Sequence, residues 1–203
     1  MKYIYFPKST ADEEIRAILD NRKTATRRVV KQLCGVKIPL SLQLFVSPHS
    51  GMVYYDGADR QLLIGEKPVV APYRPGDILY VRETWAKVGD NAYGYKADDV
   101  WIVPRWRPSI HMPREAARIF LRVTAVRVER LQDITEEQAQ AEGLYKGWTL
   151  TERSTPACTA RQAFMWVWDM TIKPADRALY GWAANPWVWV IEFERIRKEE
   201  EIE

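Results

Sequence analysis

Apolar and polar positions alternate most clearly in "RIFLRVTAVRVERL", where Ile119, Leu121 and Val123 fall on one face. Val126 and Val128 resume the pattern after a change of phase at Thr124-Ala125. Strand side chains alternate between faces, so an uncorrected one-residue slip would turn the later valines to solvent. A bulge at that point is expected to restore the phase. A second strand is expected over residues 78–83, launched by the Pro-Gly-Asp turn of "PYRPGDILYVRETW". "NPWVWVIEFERI" reads as a closing strand, apolar on both faces at first and alternating afterwards. Between residues 29 and 68, turn signals at Ser47-Pro48, His49-Ser50-Gly51 and Asp56-Gly57 divide short apolar runs into hairpins.

Three segments carry a helical period instead. Ile15, Ile18 and Leu19 share one face of a helix expected over residues 11–21, with Thr10 and Glu13 spaced as a capping box. Thr135 and Gln138 have the same spacing ahead of a short helix that ends near Gly143. Thr159 and Gln162 start a third, "ARQAFMWVWDMTI", with Phe164, Val167 and Trp168 facing inward. Residues 145–158 read as a polar surface loop, and "RKEEEIE" as a solvated charged tail. Short strands and helices without regular alternation predict an α+β chain, a small β-barrel with flanking helices. The glycine-rich phosphate cradles of nucleotide-binding folds are missing from the sequence.

Composition changes this picture little. The 203 residues carry a net charge of +3, a mild lean toward nucleic acid, and nine Trp with ten Tyr supply faces on which bases can stack. Cys34, Cys158, His49 and His111 have neither metal-ligand spacing nor a disulfide framework, so no metal and no cofactor is expected. No apolar run approaches the ~20 residues of a membrane span, and the N-terminus lacks a signal-peptide pattern, so a cytoplasmic protein with no membrane partner is expected.

Candidate chemistry concentrates in "NRKTATRR", four basic residues and two threonines in eight positions. A desolvated Lys23 beside Thr26 could take the proton of that hydroxyl, which is inert without a base. A solvated helix end is the plainer alternative. Glu142 sits at a helix C-terminus, where negative charge is disfavoured, a placement that suits a general acid. Seven arginines lie between Arg105 and Arg130. In "RWRPSIHMPR", Arg105, Trp106, Arg107, His111 and Arg114 combine phosphate contacts with a stacking plane, while the strand arginines Arg118, Arg122 and Arg127 could be an outward solvated face. Glu83 and Trp85 are placed at a strand end, as the rim of a base pocket or as core.

In order, "ILDNRKTATRR", "PGDILYVRETW", "ERLQDITEEQAQAEG" and "WVWVIEFERI" resemble the ASCH domain family of the PUA-like superfamily, over about half the chain. The "WRPSIHMPR" element is similar to longer members carried by phages and prophages. The resemblance implies a PUA-like β-barrel in a single domain, with insertions at about 31–71, 86–112 and 144–158. It also implies a cleft for RNA or a modified nucleoside. Small bacterial members include an N4-acetylcytidine amidohydrolase that uses Lys, Thr and Glu, matched here by Lys23, Thr26 and Glu142. By that likeness Lys23 activates Thr26, Glu142 protonates the departing amine, and Arg28 anchors a phosphate or the oxyanion, with Arg22 beside it. Gly143 stands where the small hydrolases are expected to carry a polar residue. A non-catalytic RNA-binding module, a metal-independent single-strand ribonuclease and a phage interaction protein are the alternatives.

Overall fold

The structure, a computed structural model, describes residues 2–39, 42–55, 60–90, 92–98, 103, 105–149 and 156–198. Its central sheet has five strands: β1 (Lys2–Tyr5), β2 (Ala25–Val29), β3 (Ile78–Arg82), β4 (Phe120–Arg130) and β5 (Trp187–Ile196). Their spatial order is β1-β3-β4-β5-β2, with β1 parallel to β3 and every other neighbour antiparallel. The register of β4 on β5 shifts between Val123 and Ala125, the expected bulge, and Thr124 is exposed there. As a result Val123 and Val128 both reach the largest core cluster. β5 is buried on both faces: Trp187, Trp189 and Ile191 enter that cluster, whereas Val188 and Val190 enter a second one.

The strands do not close into the expected barrel, because among the described residues no ladder joins β1 to β2. β1 is only four residues long and runs into Pro7, which has no amide to donate. The two edges nonetheless face each other, since Arg28 on β2 donates to the Tyr5 carbonyl on β1 at 2.7 Å. The molecule is an open, curled sheet whose gap is spanned by one guanidinium.

Three helices pack on this sheet: α1 (Ala11–Leu19), α2 (Glu136–Ala141) and α3 (Ala160–Thr171). α1 buries Ile15 and Ile18 in the largest cluster and stops two residues short of expectation, with Asn21 left-handed at φ 57°. The capping box expected at Thr10 and Glu13 does not form. Thr10 Oγ1 donates to Glu14 Oε1 at 2.6 Å instead, because Glu14 is the acid that turns inward. α2 has its full capping box between Thr135 and Gln138. α3 has half of one: Thr159 accepts from the Gln162 amide, while the Gln162 side chain accepts from Cys158. Phe164 and Trp168 are buried with Leu131 and Ile134, and Val167 is half-buried.

Hairpins occupy the 31–71 stretch, Leu44–Val46 with Val53–Tyr55 and Leu63–Ile64 with Lys67–Pro68. Val53 and Val69 belong to the largest core, so this stretch is built into the fold. A further hairpin, Trp85–Gly89 with Ala92–Tyr95, packs Trp85 against Met112 and Phe120 in a third cluster. The Asp56-Gly57 turn signal, residues 150–155 of the polar loop and residues 199–203 of the tail lie outside the described residues. Among the described residues no helix is long and apolar enough to cross a membrane.

Candidate functional site

The end of α1 sets the geometry of "NRKTATRR". With Asn21 in the left-handed region, the amides of Arg22 and Lys23 both return to the Ala17 carbonyl. The chain is thereby folded back beneath its own helix. Thr24 then donates its amide to Ala141, and Lys23 pairs with Glu142 in an isolated antiparallel bridge. This contact pins the start of β2 to the end of α2. Gly143 makes it close: its φ is +90°, and a Cβ there would lie 2.9 Å from that of Ala17 and 3.2 Å from that of Lys23. Sterics therefore account for a glycine at this position.

Lys23, Thr26, Arg27 and Glu142 are all buried, at 3%, 3%, 4% and 7% exposure. Lys23 Nζ donates to Glu142 Oε2 at 2.8 Å and to the Glu142 carbonyl at 3.0 Å, and Glu14 Oε2 lies 3.4 Å away. Arg27 approaches Glu142 from the other side: Nη1 donates to Oε1 at 3.2 Å and Nη2 to Gln138 Oε1 at 2.9 Å. The carboxylate that the helix C-terminus disfavours is thus held by two buried cations. Arg27 Nε is buried without a partner. Lys23, Thr26 and Glu142 line one cavity of about 70 Å³, roofed by Phe164, Val167 and Trp168 of α3. No hydrogen bond joins Lys23 to the Thr26 hydroxyl among the described residues, the ammonium being engaged by the two carboxylates.

Of the other expected contact residues, only Arg28 lines this cavity. Arg22 is exposed and bound to Asp20 and the Gly143 carbonyl, as a brace of the turn. Arg105, Trp106, Arg107 and His111 line a separate depression of about 570 Å³. Arg107 also lies 5.2 Å from the centre of the Trp85 ring. Arg114 is exposed and lines none of the cavities described.

No family model and no curated protein matches the chain. Among solved structures it is similar to protein EF3133 from Enterococcus faecalis V583, described under family-model DUF984. The identity is 12% and the TM-score 0.45, over 100% of this chain and 82% of that one.

Glu83 and Trp85 do not form a pocket rim. Glu83 is 2% exposed and takes two hydrogen bonds of 2.9 Å from Arg118, which also binds Asp98. Burial pushes the Glu83 carboxyl above its ordinary value, and Arg118 opposes that rise. Burial works to lower the Arg118 guanidinium, but its hydrogen bonds to Glu83 and Asp98 prevail and hold it higher. Trp85 is 4% exposed in the third cluster. Arg122 pairs with Glu194, and Arg127 with Glu129 and Glu192, so the strand arginines are neutralised within the sheet.

Sequence reasoning missed Arg27, the buried guanidinium on Glu142, in favour of Arg28. The available signal was strand alternation, which gives Arg27 the opposite face from half-exposed Arg28 and turns it toward Gln138 and Glu142 at α2.

Proposed function

We propose that the Lys23–Thr26–Glu142 cavity cleaves a small acyl amide, the N4-acetyl group of an acetylated cytidine being the reading that fits best. The observation that carries this is that all three residues line one small cavity, where Lys23 Nζ donates to Glu142 Oε2 at 2.8 Å. The cavity is small, about 70 Å³. That suits a two-carbon acyl group, with the base outside.

The proton steps balance within the pair. Transfer from Lys23 to Glu142 leaves a neutral amine, which takes the Thr26 proton as Oγ1 attacks the acyl carbonyl. Glu142 gives its proton to the departing exocyclic nitrogen as the C–N bond breaks, leaving an acyl ester on Thr26. Water then attacks the ester, Glu142 accepts its proton, and Lys23 returns one to the Thr26 oxygen as acetic acid leaves. Arg27 positions Glu142 throughout, and its unpartnered Nε is a donor available to the developing oxyanion.

The test is incubation with N4-acetylcytidine, following cytidine and acetate by chromatography. Thr26→Ala should lower turnover at least about a hundredfold while leaving the fold intact, and Glu142→Gln should do the same. Turnover unaffected by Thr26→Ala rules out the acyl-enzyme route. One observation favours a second reading, binding without catalysis: the Lys23 ammonium is aimed at carboxylates and not at the hydroxyl. A well-folded wild type with no turnover on the acetylated nucleoside would support it.

A further inference from the structure

The gap between the two sheet edges is itself a cavity, of about 430 Å³, within the usual size of a ligand site. Its walls are Tyr3 and Tyr5 of β1, Arg28 of β2, and Tyr73. Arg28 also lines the cavity of Thr26, so the two spaces adjoin across one side chain.

Ile4 turns into the core, which leaves Tyr3 and Tyr5 on the outer face at 44% and 50% exposure. Their rings are stacked, with centroids 6.5 Å apart and planes 26° from parallel. The Arg82 guanidinium lies 3.8 Å from the Tyr3 ring centre, extending the planar surface. Tyr73 donates its hydroxyl to the Tyr3 carbonyl at 2.8 Å, which fixes the opposite wall.

Charge identifies the occupant. Arg28 and Arg82 have no carboxylate partner among the described residues; their donors reach the Tyr5 carbonyl, the Ile110 carbonyl and the Tyr80 hydroxyl. Arg118, Arg122 and Arg127 are neutralised by acids, while Arg74, Arg130, Arg161 and Arg195 also rest on backbone carbonyls. What sets Arg28 and Arg82 apart is the exposed tyrosine rings beside them. Near the cleft, Asp77 is already taken by Lys2. Uncompensated guanidinium beside exposed aromatic faces is the chemistry that holds single-stranded nucleic acid, phosphate on cation and base on ring.

We propose that this cleft binds the nucleotide adjoining the reactive base in a single-stranded nucleic acid. The substrate of the Lys23–Thr26–Glu142 cavity is then a polynucleotide and not a free nucleoside, a step that rests on the reading of that cavity given above. Arg28 holds the phosphate between the two nucleotides, and Tyr3 with Tyr5 stacks the neighbouring base.

The test is fluorescence anisotropy of a labelled single-stranded RNA of about eight nucleotides, within the span of such stacking sites. The proteins are wild type, Tyr3→Ala, Tyr5→Ala and Tyr5→Phe, with folding checked by circular dichroism. Wild type should bind in a salt-dependent way, and each alanine variant should bind about tenfold more weakly. Tyr5→Phe, which keeps the ring, should bind as wild type does, and a duplex of equal length should bind less well. Release of acetate from free N4-acetylcytidine should be the same in all four. Equal RNA binding by wild type and the alanine variants overturns the proposal, as does no RNA binding by wild type or equal affinity for duplex. If acetate release fails but tyrosine-dependent binding holds, the reaction is lost and the cleft stands. If release is robust but binding ignores the tyrosines, the reaction stands and the cleft is lost.

Discussion

Gly143 shows how one residue sets the candidate site. Its backbone occupies the left-handed region and its α-carbon lies where a methyl group would meet Ala17 and Lys23. Gly143→Ala should destabilise the fold by about 1–3 kcal/mol, read as a lower urea midpoint, and should lower acetate release because Lys23 is displaced. A variant as stable and active as wild type would mean that the β2–α2 contact is not under this constraint. The grouping of Lys23, Thr26 and Glu142 rests on the resemblance of their segments to known proteins, since spacing alone leaves a solvated helix end as the plainer alternative; the structure places all three along one cavity. Arg27 was not legible in the sequence, because a run of basic residues hides which of them faces inward. Only the pairing of Arg27 with Val190 and of Thr26 with Ile191 settles that. For Glu83 and Trp85 the sequence leaves rim and core open, and the structure gives the core for Trp85; Glu83's partner, Arg118, is 35 residues away in sequence and carries no local signal.

At the scale of elements, the local signals that held were those whose physics is local. The bulge in β4 and the α2 capping box both follow from a few adjacent residues. The Thr10–Glu13 box failed because tertiary structure competes for the same groups, with Glu14 drawn toward Lys23 and taking the Thr10 hydroxyl. α2 is only six residues long, so its cap matters disproportionately. Thr135→Ala should cost about 1 kcal/mol of stability in chemical denaturation. Because Gln138 also holds Arg27, the variant should lose activity beyond its loss of stability. Unchanged activity under conditions where the variant is fully folded would separate the cap from the site.

For the whole molecule, barrel closure was the expectation that did not hold, and no sequence period could have revealed it. β1 and β2 lie close in sequence, but whether they meet depends on how β3, β4 and β5, all from residue 78 onward, curve the sheet between them. The Glu83–Arg118 pair joins the end of β3 to the start of β4, and this pair sets a pH dependence. A carboxyl held above its ordinary value stabilises the fold at pH below the unfolded value of about 4.3 and loses that contribution as pH rises through the folded value. Wild type should therefore lose stability relative to Glu83→Gln as pH is raised from about 4 toward neutrality. Denaturation midpoints measured across that range check it, and a difference growing in the opposite direction would reverse the assignment. The bridge from Arg28 to the Tyr5 carbonyl has a kinetic meaning as well. Entry of a ligand between the edges needs no backbone ladder to unzip; it displaces solvent and swings a single side chain. Association can then approach the speed of docking onto a rigid surface, and residence time is governed by what the guanidinium grips once the Tyr5 carbonyl has let it go.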